Sequence, residues 1–123
     1  MPAAIALTVI LAALAVFQLA LALGAPIGRF AWGGQHRVLP TRLRIGSLVS
    51  IVIYAVIAVL ALDKVGLIDV VPDVVSDVGM WVVLAYFVLG IPLNAISRSK
   101  PERYTMTPVV TLLAVLSLLV ALS

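Results

Sequence analysis

The chain contains no cysteine, and its only histidine is His36. Without thiols there is no disulfide, no thiolate metal site and no cysteine nucleophile. A lone imidazole with no nearby carboxylate makes a poor metal site. It also lacks the serine and acid that acyl transfer requires. Charge is scarce, at 11 % of 123 residues, and no acid falls in the middle of an apolar run. No residue therefore stands out as catalytic, metal-binding or cofactor-binding, and the reading leans away from an enzyme. What the chain has in quantity is apolar surface, 64 % of residues with a mean hydropathy of +1.29. A soluble domain this short cannot enclose so much of it. Lipid removes the difficulty by solvating the outer faces.

Four apolar runs follow, at about 3–23, 43–62, 78–97 and 106–122. The first, at ~1.5 Å per residue, reaches about one hydrocarbon thickness. Met1-Pro2-Ala3-Ala4 carries no positive charge ahead of it, so it reads as a retained span rather than a cleaved signal. Pro72 and Pro108 suit the approach to a helix or its first turn, and Asp73, Ser76 and Asp77 are candidate N-caps of the third helix. Gly90 and Pro92 predict a kink near Val88 and Leu89. Leu23-Gly24-Ala25-Pro26 and Leu89-Gly90-Ile91-Pro92 are a weak internal repeat, which would extend the first helix past Pro26. The fold expected is all-α, an antiparallel four-transmembrane-helix bundle forming a single membrane domain over 1–123.

The connections divide by charge. The first carries Arg29, Arg37, Arg42 and Arg44 with no acid, and the third carries Arg98, Lys100 and Arg103 against Glu102. The second carries Asp63, Asp69, Asp73 and Asp77 against Lys64. Seven of the eight basic residues thus lie on one side of a four-span chain. The positive-inside rule makes that side cytoplasmic and puts both termini outside.

Polar side chains in hydrocarbon face a neighbouring helix or a cavity. Ser47, Ser50 and Tyr54 share a face of the second helix, Gly79, Tyr86, Gly90, Asn94 and Ser97 one of the third, and Thr107, Thr111 and Ala114 one of the fourth. Gln18 is the only amide in the first. Most of these residues fall in the cytoplasmic half. Gln18, Ser47, Ser50, Tyr54, Asn94 and Thr111 are therefore either interhelical hydrogen-bonding groups or the lining of a cytoplasm-facing polar pocket. The first connection, residues 24–40, holds four of the eight glycines and Trp32. It is either a mobile interfacial loop or a contact for anionic lipid through Arg29, Trp32, Arg37, Arg42 and Arg44.

The stretch Phe17-Gln18-Leu19-Ala20-Leu21-Ala22-Leu23-Gly24-Ala25-Pro26, with Gly28, Gly33-Gly34 and Val38-Leu39-Pro40, resembles a group of small, uncharacterised bacterial four-span integral membrane proteins. Leu89-Gly90 followed by Leu93-Asn94-Ala95-Ile96-Ser97 extends the likeness. The resemblance implies a bacterial cytoplasmic membrane and implies no reaction. Members of the group carry an aromatic after the proline, where this chain has Ile27. The leading functional expectation is a non-catalytic accessory or structural subunit, working through helix contacts, anionic lipid and a membrane-protein partner or second copy. The alternative is a small oligomeric transporter or channel with a cytoplasm-facing polar pocket. An enzyme acting on a lipid headgroup through His36 is the weakest reading, and nucleic acid is not an expected partner.

Overall fold

Each apolar run is a helix in the computed structural model, which describes residues 2–123. The helices are α1 (Pro2–Ala22), α2 (Thr41–Lys64), α3 (Asp73–Ala95) and α4 (Lys100–Leu122). All four are long and apolar enough to cross a membrane. No strand forms among the described residues, and the expected all-α, four-helix architecture stands. The most extensive pairs are the hairpins α1–α2 and α3–α4, which meet through α2 with α3 and α1 with α4. The four helices form a ring in chain order, with the first and third connections at one end. Chain termini and the second connection share the other.

Helix ends follow capping chemistry more closely than hydropathy. Gly24 and Gly66 close α1 and α2 alike. Ala25 N–H donates to the Ala20 carbonyl and Gly24 N–H to that of Leu21, while Leu67 and Gly66 repeat this with Leu62 and Asp63. This Schellman arrangement needs a left-handed residue, and Gly24 has φ +96°. Leu23-Gly24-Ala25-Pro26 thus ends a helix, and α1 does not run on past Pro26. Its counterpart Leu89-Gly90-Ile91-Pro92 lies inside α3, which continues through the proline to Ala95.

Two expectations about helix starts are corrected. α3 begins at Asp73 behind Pro72, whose carbonyl accepts from Val75 and Ser76 and whose side chain cannot cap. Ser76 and Asp77 lie within the helix rather than at its cap. α4 begins at Lys100, not 106, because Ser99 caps it by accepting Glu102 N–H and Pro101 fits its first turn. Pro108 is therefore internal, and the Tyr104 carbonyl loses its helical donor.

The closely packed core lies toward the terminal end. Ala4, Leu7, Ala61, Met80 and Val120 are fully enclosed there, with Ile57, Val83, Phe87 and Leu113 beside them. Alanines and Gly79 let the backbones approach, the usual basis of helix association in lipid. Lys64 bridges to Asp77 at 3.3 Å and also donates to the Ser123 carbonyl. Buried Asp63 accepts Val70 N–H at 2.8 Å and Val71 N–H at 3.1 Å, which holds the second connection against its own helix.

Candidate functional site

At the basic end the first connection folds into a cap. Gly28 N–H donates to the Arg37 carbonyl at 2.8 Å and pinches the loop shut. A side chain at Gly28 would collide with the His36 carbonyl. Leu21, Ala31 and Leu39 form a small core beneath, packed by Phe17, Ile27 and Leu43. Three bonds tie residues 29–33 of the cap to the bundle. Ser99 Oγ donates to the Arg29 carbonyl, Gly33 N–H donates to Glu102 Oε2 at 3.1 Å, and Trp32 Nε1–H donates to Ser47 Oγ at 3.3 Å. The Trp32 ring lies flush against α2, in the space a side chain at Gly46 would need.

Beneath this cap is a cavity of about 420 Å³, within the range of roughly 300–1,000 Å³ usual for small-molecule sites. Its polar wall is Gln18 on α1, Ser50 and Tyr54 on α2, Asn94 on α3 and Glu102 on α4. Phe17, Phe30, Trp32, Tyr86 and Phe87 supply aromatic surface. The cavity opens sideways. Gly79, Tyr86 and Leu93 lie seven residues apart and share one face of α3. At Gly79 that face meets Leu60 of α2. At Tyr86 and Leu93 it lines the cavity yet is 53 % and 67 % exposed. The α2–α3 seam is thus closed near the terminal end and parted near the basic end.

Gln18, Ser50, Tyr54 and Asn94, all expected from the sequence, meet around this space. Two others do not. Ser47 is fully buried but faces the Trp32 indole outside the cavity lining. Thr111 is exposed, and its hydroxyl donates to the Thr107 carbonyl at 2.7 Å. A threonine satisfied by its own helix can face outward, so the expectation that Thr111 turns inward is corrected.

The loop arginines also divide. Arg29, Arg37 and Arg42 are exposed. Arg44 is half-buried, donates from Nε to the Leu39 carbonyl at 2.8 Å and packs its guanidinium against Gly24. It secures the cap. Half-buried His36 lies with its carbonyl against Gly28, and no metal-binding group of His, Cys, Asp or Glu forms among the described residues.

Glu102 is the residue the sequence reading passed over, counting it only as a charge in the third connection. It is 6 % exposed and lines the cavity. The signal was there: Ser99-Lys100-Pro101-Glu102 has the spacing of a capping box. Half of that box forms, since Ser99 Oγ accepts Glu102 N–H at 3.4 Å. The carboxylate, however, turns to Gly33 instead of back to Ser99, whose N–H donates to Ser97 Oγ. No basic side chain reaches Glu102 within 4 Å among the described residues, where the one ion pair is Lys64–Asp77. Nearby, Gln18 Nε2 donates to Tyr54 Oη at 3.4 Å, and Gln18 Oε1 is buried with no partner.

No protein-family model, curated protein or solved structure matches this chain.

Proposed function

We propose that this chain is a non-catalytic integral membrane protein of the bacterial cytoplasmic membrane that binds a small amphiphilic molecule. Its basic end lies in the cytoplasm and both termini outside. The observation that carries this reading is the parted α2–α3 seam, which gives an aromatic and polar cavity a side opening. A role in packing alone would have the polar groups bond across helices. Only Gln18 and Tyr54 do so; Ser50 donates to the Gly46 carbonyl and Asn94 to that of Gly90, each within its own helix. The terminal half holds Leu7, Met80 and Val120 without exposed surface, which favours a one-ended binding site over an open channel.

With Glu102 withdrawn into the cavity, the surface charge of the basic end comes from Arg29, Arg37, Arg42, Arg98, Lys100 and Arg103. Each such residue near an anionic leaflet adds about 1 kcal/mol of attraction. This supports anionic-lipid contact through the exposed arginines and Trp32, while Arg44 serves the cap.

Native mass spectrometry of protein released from its own membranes tests the pocket. A bound small molecule should accompany the wild type and be missing from Ser50→Phe, which fills the cavity. A bare chain in both would count against binding. Orientation is tested separately with an impermeant maleimide on intact cells: Leu67→Cys should label and Gln35→Cys should not, and the reverse pattern would invert the topology.

A further inference from the structure

We propose that the ligand is an amphiphilic organic cation, an amine or quaternary ammonium on an apolar body, with the Glu102 carboxylate as its counter-charge. This rests on the pocket reading and names the ligand class for that same cavity.

The argument begins with sign. Glu102 is the one charged side chain among the lining residues. An anion would meet that carboxylate with no basic group to offset it. A buried carboxylate is costly unless paired and hydrogen-bonded. Here Oε2 has the Gly33 N–H, and the N-terminal turn of α4 adds its dipole. No further protein donor reaches the carboxylate among the described residues. Gln18, 9 % exposed, also lines this space, and its buried Oε1 has no partner. A buried carboxylate with one protein donor and no basic neighbour calls for a ligand that brings positive charge or N–H groups.

The protein does not supply that charge itself. Arg29 lies over the Phe30 ring at 5.2 Å and Arg103 over the Tyr104 ring at 4.9 Å, and neither turns to Glu102. A metal ion is disfavoured, because a hard cation needs several oxygen ligands and the walls are mainly apolar and aromatic. Phe17, Phe30, Trp32 and Tyr86 instead make the lining aromatic, and aromatic rings attract organic cations. Entry follows from the same layout. The basic surface repels a cation arriving from water, whereas the α2–α3 opening meets the bilayer, where amphiphilic cations accumulate.

The test compares three bodies of one shape and different charge: tetraphenylphosphonium, tetraphenylsilane and tetraphenylborate. The protein carries Trp81→Phe, leaving Trp32 in the cavity wall as the sole tryptophan, and is held in nanodiscs of zwitterionic lipid with empty discs as the blank. Saturable quenching of Trp32 should favour the cation over the neutral and anionic bodies by about tenfold or more. Glu102→Gln, whose amide oxygen still accepts from Gly33, should erase that preference while the neutral body binds as before. Equal binding of all three by the Glu102 protein would overturn the cation assignment and leave the pocket standing. So would a preference for the cation that survives Glu102→Gln. No quenching by any body would remove both the assignment and the pocket. If Glu102→Gln fails to assemble, the three-body comparison on the Glu102 protein still decides.

Discussion

The two ends of this bundle solve the same problem in opposite ways. Toward the termini, alanine and glycine alternate with large aliphatic residues, and the helices close on one another. Ala4, Ala61 and Met80 lose all their exposed surface, and Leu60 fills the place beside Gly79. Toward the basic end, the same four helices surround a cavity lined by aromatic and polar side chains, and a loop covers it. Most hydroxyl and amide groups within the spans do not bond across helices. Thr8, Ser50, Asn94 and Thr111 each donate to the carbonyl four residues back on their own helix. Only Gln18–Tyr54 and Trp32–Ser47 join different elements through a hydrogen bond between two side chains among the described residues. Cohesion comes from close packing at the terminal end, where small residues admit it.

The sharpest way to break this comparison is to remove packing at each end. Met80→Ala deletes a fully enclosed side chain from the closed half. It should cost about 2–5 kcal/mol, the range for large-to-small changes in a tight core. Leu93→Ala, at the exposed lip of the cavity, should cost less than about 1 kcal/mol, since few contacts are lost. Reversible denaturation in mixed micelles measures both. Equal losses would mean that the two halves are packed alike.

A second variant tests whether the cap is a fixed part of the site. Gly28→Ala places a methyl group against the His36 carbonyl and must undo the Gly28–Arg37 closure. A loss of about 1–3 kcal/mol is expected for such a backbone clash. More telling is Trp32: its emission in the Trp81→Phe protein should shift to the red as the ring leaves Gly46. An unchanged spectrum would show that Trp32 is held by α2 alone and that the loop is not its support.

How much of this was legible beforehand differs between the two ends. Hydropathy located all four helices, because a span must be apolar over its whole length. It misjudged where they begin, because Ser99 and Pro101 extend α4 back to Lys100 through residues that are not apolar. The cavity was half legible. Gln18, Ser50, Tyr54 and Asn94 fall on the inner faces that periodicity assigns. Thr111 follows the same spacing and faces out, since a hydroxyl bonded to its own helix gives no information about direction. Glu102 was hidden by its neighbours: among Arg98, Lys100 and Arg103 it looked like one more surface charge. Only the tertiary contact with Gly33, far off in sequence, draws it inside.

The finest test separates the two amides at the basic end. Gln18 and Asn94 are the same chemistry in the same cavity, yet their bonds differ. Gln18 Nε2 reaches Tyr54 on another helix, whereas Asn94 Nδ2 returns to the Gly90 carbonyl of its own. Removing the first should loosen α1 from α2 by about 0.6 kcal/mol, the average for hydrogen bonds between membrane helices. That loss is trimmed further because Gln18→Leu also removes the unpartnered Oε1, whose burial opposes folding. Asn94→Leu breaks no bond between helices, and the Gly90 carbonyl can still take its ordinary helical donor, so stability should be nearly unchanged. A double-mutant cycle of Gln18→Leu with Tyr54→Phe measures the one coupling, and Asn94→Leu alone measures the other. If Asn94→Leu proves the more costly of the two, then Asn94 supports α3 across Gly90 and Pro92, and the basic end is held by local bonds to a degree its open geometry does not suggest.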